Sequence, residues 1–250
     1  MKKNEFVEFE GIAYRRTSTE ICFHDFETGF TYADDPVNPE ELLKEGFVEV
    51  DKVILEPVLA LNKKGYKTSF SCGGHLMIAD VERCIDNIII NKDRIAPLFD
   101  IMTYVNIEDM YISFQGSNMR RDIEIFKAFN RCTKCNIHKE YSTIPDWSYD
   151  EEVCEQCDTT PREGIELLES MSLYGSFYDS CPYIMDGYFT HNDTRTCRLL
   201  SEEYKETKDL SKILEYMKEK VKLIEMEFDL WQQDMIIQIM KAIDLLPELK

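Results

Sequence analysis

The sequence predicts a fold of the α+β or α/β class: a mixed-sheet core, a four-cysteine insertion and a long C-terminal amphipathic helix. Three observations predict it. Strand-like and helix-like segments alternate through the first 130 residues. Two Cys-x-x-Cys pairs stand 18 residues apart, after that alternation ends. Beyond them, apolar residues repeat at alternating spacings of four and three, the mark of a heptad seam.

The elements follow in order. Phe6 to Glu10 alternates, Gly11 turns, and Ile12 to Arg15 returns; Ile21–Phe23 and Phe30–Tyr32 flank the turn-prone Glu27-Thr28-Gly29. This reads as a small antiparallel meander over residues 1–36. A core over residues 37–129 comes next. Asn38 is placed to cap a short helix with Pro39 at its first position and Glu41 where a capping box wants an acid, and Gly46 ends it. Val53 to Leu61 reads as a helix that starts or kinks near Pro57, with Lys63 and Lys64 in its last turn and Gly65 as its cap. Tyr66 to Cys72 reads as a strand, broken by Gly73-Gly74. Ile85–Ile90 is expected as a strand, Asp93–Tyr104 as a helix, Met110–Phe114 as a strand, and Ile123–Phe129 as either.

Residues 130–160 carry the two knuckles, Cys132-Thr133-Lys134-Cys135 and Cys154-Glu155-Gln156-Cys157. Two residues between thiols let one tight turn present both, and the loop between the pairs brings the second turn back to complete a tetrahedron. The expectation is one structural Zn²⁺ on Cys132, Cys135, Cys154 and Cys157, a closed site with no position left for substrate. His138 is placed to replace one thiolate.

Residues 161–250 are expected to be helical. Thr160-Pro161-Arg162-Glu163 resembles a capping box launching a helix through Ile165, Leu168 and Met171. Leu210, Leu214, Met217, Val221, Ile224, Phe228, Trp231 and Met235 form the heptad seam. It suits either a homodimeric coiled coil through the 210–235 helix or a long helix lying on the chain's own core.

Charge and cysteine usage bound the function. The net charge is −19 over 250 residues, with 44% hydrophobic and 12% aromatic content. A folded, strongly acidic chain repels phosphate backbones and anionic membranes and attracts basic surfaces or cations. No apolar run approaches the roughly 20 residues of a membrane span. Nine cysteines, four of them in paired knuckles and none behind a secretion signal, fit a reducing cytoplasm. Residues 140 to 170 hold ten acidic residues (Glu140, Asp146, Asp150, Glu151, Glu152, Glu155, Asp158, Glu163, Glu166, Glu169) against Arg162 alone. Trp147 and Tyr149 lie in the same stretch, suited to anchor a partner or to fill a small core.

Ser71-Cys72-Gly73-Gly74-His75 is the second candidate site. Ligands bind beyond the C-terminal ends of strands in open α/β sheets, and paired glycines allow close backbone approach and free amides for an anion. Cys72 and His75 can act as nucleophile and base or share a second metal, with Ser71, Gly73 and Gly74 binding the ligand. His24 and His191 are candidate third members, near Asp25 and Asp193. Equally, Cys72 can be buried in a strand, with the glycines turning and His75 bonding locally.

The stretch Leu61 to His75 resembles a segment of uncharacterised bacterial and phage proteins that carry a helix, Gly-Tyr-x-Thr, then Ser-Cys-x-Gly-His. It is also similar to the Ser-Cys-Ser-Gly-Arg turn of the wybutosine-synthesis methyltransferase family, which acts on tRNA; here His75 stands where that family has arginine. The resemblance spans about 15 residues and implies that Ser71, Cys72 and His75 matter.

Two functional expectations result. The first is an acidic, zinc-stabilised cytoplasmic interaction protein that binds a basic protein partner, as a phage or mobile-element inhibitor or regulator of a nucleic-acid-handling machine. The alternative is an enzyme or receptor for a nucleotide or other small anion at Ser71–His75.

Overall fold

The computed structural model describes residues 6–9, 11–17, 20–32, 38–83, 105–116, 118–129, 166–168, 172–177, 181, 184–185, 188–189 and 191–249. The four knuckle cysteines, His138, the 140–165 acidic stretch, and the expected strand Ile85–Ile90 and helix from Asp93 lie outside the described residues.

Eleven strands are present among the described residues: β1 Phe6–Phe9, β2 Ile12–Arg16, β3 Ile21–His24, β4 Thr31–Tyr32, β5 Val48–Asp51, β6 Thr68–Ala79, β7 Val105–Phe114, β8 Glu166–Leu168, β9 Ser172–Gly175, β10 Ile184–Met185 and β11 Tyr188–Phe189. Helices accompany them: α1 Pro39–Lys44, α2 Lys52–Lys63, α3 Met119–Phe129, α4 His191–Thr207 and α5 Ser211–Leu245. One sheet has the order β1-β2-β6-β7-β9-β8, a second β4-β3-β5, and a third pairs β10 with β11. The pairings β1–β2, β2–β6, β7–β9, β8–β9, β3–β4, β3–β5 and β10–β11 are antiparallel. The class is therefore α+β.

Several elements follow the sequence logic. Asn38 Oδ1 accepts from the Glu40 amide at 3.2 Å and Pro39 opens α1. α2 buries Ile54, Pro57, Val58 and Leu61, one stripe at helical spacing. Three departures have physical causes. α2 starts at Lys52 and carries Pro57 in its interior, where the buried ring packs with its stripe. The 1–36 meander divides: β2 pairs with β6 while β3 pairs with β5, so its two hairpins belong to different sheets. The helix expected through Leu168 and Met171 is instead a strand at Glu166–Leu168 paired with β9; ladder pairing overrides a weak local capping signal.

The chain forms two compact units. The first comprises Met1–Thr19, Gly74–Glu108 and Phe177–Trp231. Its core includes Ile78, Ile213, Met217 and Ile224, and a cluster in which Phe177, Phe228 and Trp231 meet with ring centroids 5.0 to 5.5 Å apart. The second comprises Glu20–Gly73, Asp109–Ser176 and Gln232–Lys250. Its core includes Ile54, Leu61, Tyr66, Met110, Ile112 and Leu173.

The heptad seam lies along α5, which runs 35 residues. Met217, Ile224, Phe228, Trp231 and Met235 are buried within the chain, and Leu210, Leu214 and Val221 are half-buried. Burial of each such side chain contributes about 1.5–3 kcal/mol. Five of the eight seam residues are thus buried within the chain itself. Among the described residues no helix is long and apolar enough to cross a membrane.

The last turn of α5 is clasped within the second unit. Lys64 Nζ donates to the carbonyls of Ile243 and Leu246, each at 2.7 Å, and to that of Asp244 at 3.3 Å. Helix C-termini leave carbonyls without partners and carry partial negative charge, so an ammonium there satisfies both needs. Leu249 N–H donates to Lys64 O at 2.8 Å, and the Tyr66 hydroxyl to Pro247 O at 3.0 Å. Gly65, at φ +90°, runs so close to Leu249 that a Cβ would stand 2.6 Å from its carbonyl oxygen.

Candidate metal centre

Strand β6 does not stop at Gly73-Gly74 but continues to Ala79. In a regular strand, residues three apart point to opposite faces. Gly74 has φ +78°, a left-handed conformation that shifts the pleat in the manner of a bulge. Cys72 and His75 consequently converge, and Asp51 meets them: a sulfur, a ring nitrogen and a carboxylate oxygen lie within 4.8 Å of one another. All three residues are buried, Asp51 at 7%, Cys72 at 9% and His75 at 6% exposure. Among the described residues this is the one group of three or more such side chains that converges.

Asp51 ends β5 and directly precedes α2, the place where an aspartate ordinarily caps a helix. It makes no such cap. Its Oδ2 instead accepts from the Gly73 amide at 2.7 Å. Gln232 Nε2 donates to the carbonyl of the same glycine at 2.7 Å. Both backbone groups of Gly73 are thereby engaged, which holds the bulge in place.

Arg16 reaches His75 from β2. The β2–β6 register sets Arg16 opposite Met77, so His75 is its diagonal neighbour on the same face. Arg16 Nε lies 3.2 Å from Nδ1, and Nη2 lies 2.5 Å from each ring nitrogen. A guanidinium only donates, and a neutral imidazole has a single acceptor nitrogen. In this contact Arg16 Nε donates to Nδ1. Thr17 closes this side, its amide and hydroxyl both donating to Leu76 O at 2.8 and 3.1 Å. Arg15, on the opposite face of β2, pairs bidentately with Glu225, both contacts at 3.3 Å.

This group can hold a metal ion. Carboxylate oxygen, thiolate sulfur and imidazole nitrogen are all zinc donors. Tetrahedral bonds of about 2.0–2.3 Å set neighbouring donors about 3.5 Å apart, so small side-chain movements would close the set. Among the described residues three such donors converge, one fewer than a closed tetrahedral site takes.

Other expected members fall elsewhere. His24 is buried, with Nδ1 2.7 Å from Thr31 Oγ1 and its ring edge-on to Phe26, and burial pushes its pKa down. Asp25 turns the β3–β4 hairpin: the Thr28 hydroxyl and the Glu27 amide donate to its carboxylate and hold its pKa down. His191 opens α4, and its side chain lies outside the described residues, as does that of Asp193. Ser71 is half-buried, one residue before the centre. Cys22 donates to Val50 O at 3.3 Å; burial pushes its thiol pKa up and the Asp51 carboxylate adds to this.

Sequence reasoning missed Asp51, Arg16 and Gln232. Asp51 resembles an ordinary helix cap. Arg16 carries a weak signal, since consecutive arginines on a strand must point one to each face. The fold and the centre define an α+β protein with a buried Asp–Cys–His donor set. No family model, curated protein or solved structure matches the chain.

Proposed function

We propose that the protein acts as an enzyme or receptor for a small anion at the Ser71–His75 turn, with Zn²⁺ held by Asp51, Cys72 and His75. The observation that carries this reading is the convergence of the three buried donors within 4.8 Å. Buried polar side chains of three different metal-ligating types rarely meet without use, because each would otherwise be satisfied more cheaply apart. The open fourth position gives the ion a place for water or ligand. Ser71, Gly73 and Gly74 flank Cys72 and His75 in the chain, and the amide and carbonyl of Gly73 are already engaged by Asp51 and Gln232. Among the described residues Cys22, Cys72, Cys181 and Cys197 form no disulfide.

The four knuckle cysteines are proposed to hold a second, structural zinc, so the test counts ions. Native mass spectrometry should find two zinc ions per chain in the purified protein. Cys72→Ser and His75→Ala should each retain one, and Cys132→Ser with Cys154→Ser should retain the other. A stoichiometry unchanged by Cys72→Ser and His75→Ala would remove the centre from consideration.

The acidic cluster between residues 140 and 170 favours a second reading, the zinc-stabilised interaction protein. Its partner would be a basic protein surface, with direct nucleic-acid binding disfavoured by charge. Binding to such a partner should weaken steeply with salt; salt-insensitive binding would count against it.

A further inference from the structure

We infer that the outer face of the β4-β3-β5 sheet docks an arginine-rich segment of a protein partner, with Phe30 and Tyr32 as a stacking platform and Glu49 as a charge partner. This surface is built of residues that neither reading above uses, and all of them belong to the second compact unit.

Strand register sorts the sheet into two faces. Tyr32 stands opposite Phe23, and Phe23 opposite Glu49, so the three form one cross-strand row. Cys22, His24 and Val50 alternate with that row on the other face, where all three are buried. The first row points outward: Tyr32 is 36% exposed, Glu49 is exposed and Phe23 half-buried. Phe30 is 54% exposed, and its ring meets that of Tyr32 edge-on with centroids 4.8 Å apart. The half-buried Phe47 ring lies tilted against Tyr32 at 5.3 Å. The β3–β4 turn fixes Phe30 in place, because the Asp25 N–H donates to the Phe30 carbonyl at 2.9 Å and the Gly29 N–H to the Asp25 carbonyl at 2.8 Å. Packed rings held at the surface beside charged groups mark an interaction site.

Charge names the occupant. Between Ile21 and Val50 the exposed charged side chains of the described residues are Glu27, Glu40, Glu41, Glu45 and Glu49 against Lys44. An anionic ligand, or a second copy of this surface, would meet like charge. A cationic segment is attracted, and of the two cationic side chains only the guanidinium is planar, stacks on aromatic rings and forks onto a carboxylate. Two strand spacings set Tyr32 and Glu49 about 10 Å apart, which arginines two or three residues apart on an extended peptide can cover.

Fluorescence anisotropy of the full chain would be measured with a labelled peptide of alternating arginine and glycine, and with its lysine–glycine counterpart. Wild type should hold the arginine peptide about tenfold tighter than the lysine peptide. Phe30→Ser and Tyr32→Ser should each weaken the arginine peptide by about tenfold and narrow that preference. Glu49→Gln should weaken both peptides, and because it keeps the shape of an exposed side chain it serves even where Tyr32→Ser disturbs β4. Equal affinity for the two peptides would overturn the assignment, as would binding untouched by Phe30→Ser, Tyr32→Ser and Glu49→Gln alike. A loss seen only with Glu151→Gln and Glu152→Gln combined would also overturn it, while favouring the 140–170 stretch as the partner surface. None of these outcomes bears on zinc at Asp51, Cys72 and His75.

Discussion

The Gly73 amide donates to Asp51 Oδ2 at 2.7 Å, and this bond fastens the residue before α2 to the bulge of β6. Asp51→Ala leaves a buried amide without its charged acceptor and should lower stability by about 2–3 kcal/mol. Asp51→Asn keeps an oxygen acceptor and should lose less. Both should weaken zinc binding at the centre, because the carboxylate charge is gone. Urea unfolding with an unchanged m value checks the first claim, and chelator competition the second. Asp51→Ala and Asp51→Asn proteins of equal, wild-type stability would contradict it.

Gly74 should tolerate no side chain. At φ +78° any L-residue meets a steric cost of about 1–2 kcal/mol. The chain's other response is to abandon the bulge, which returns Cys72 and His75 to opposite faces. Gly74→Ala should therefore lose metal uptake beyond what its drop in melting temperature explains. A Gly74→Ala protein with wild-type melting and full zinc content would show that the bulge does not create the centre.

The Lys64 clasp should be worth about 1–3 kcal/mol, since one ammonium satisfies carbonyls at the end of α5. Lys64→Met should show this loss, and so should removal of residues 247–250, which carry the Tyr66 and Leu249 contacts. Combining the two should cost less than their sum, because they share one structure. Strict additivity in chemical denaturation would mean that the contacts act separately.

Stability should also fall in alkali. Burial, aided by Glu124, pushes the Tyr66 pKa up to about 12 from the ordinary value near 10. An acid whose folded pKa is raised stays protonated in the fold while the unfolded chain ionises. Its contribution is complete below pH 10 and is lost as pH rises from about 10 towards 12. Tyr66→Phe lacks this titration, so its stability should decline less steeply across that window. Parallel wild-type and Tyr66→Phe curves would show that the phenol is not the source.

Much of the fold was legible because it is local. Asn38 and Pro39 define α1 through a cap, and the seam from Met217 to Met235 defines α5 by period alone. The strand at Glu166–Leu168 was not legible, since its ladder partner, not its own residues, decides it. The candidate centre was half legible. Cys72 and His75 stood out by type and spacing with the glycines between them. Asp51 and Arg16 come from 21 or more positions away in the chain, and only the pairing of β2 with β6 and the Gly73 bond bring them in. By sequence Lys64 complements the dipole of its own helix, whereas in the fold its ammonium serves the end of α5.

The left-handed Gly74 gives β6 a change of parity. The inside–outside alternation of a regular strand lapses there, and residues 72 to 76 are buried in succession. Deleting one residue at this point would not merely shorten a loop. It would turn each later side chain of the strand to the opposite face.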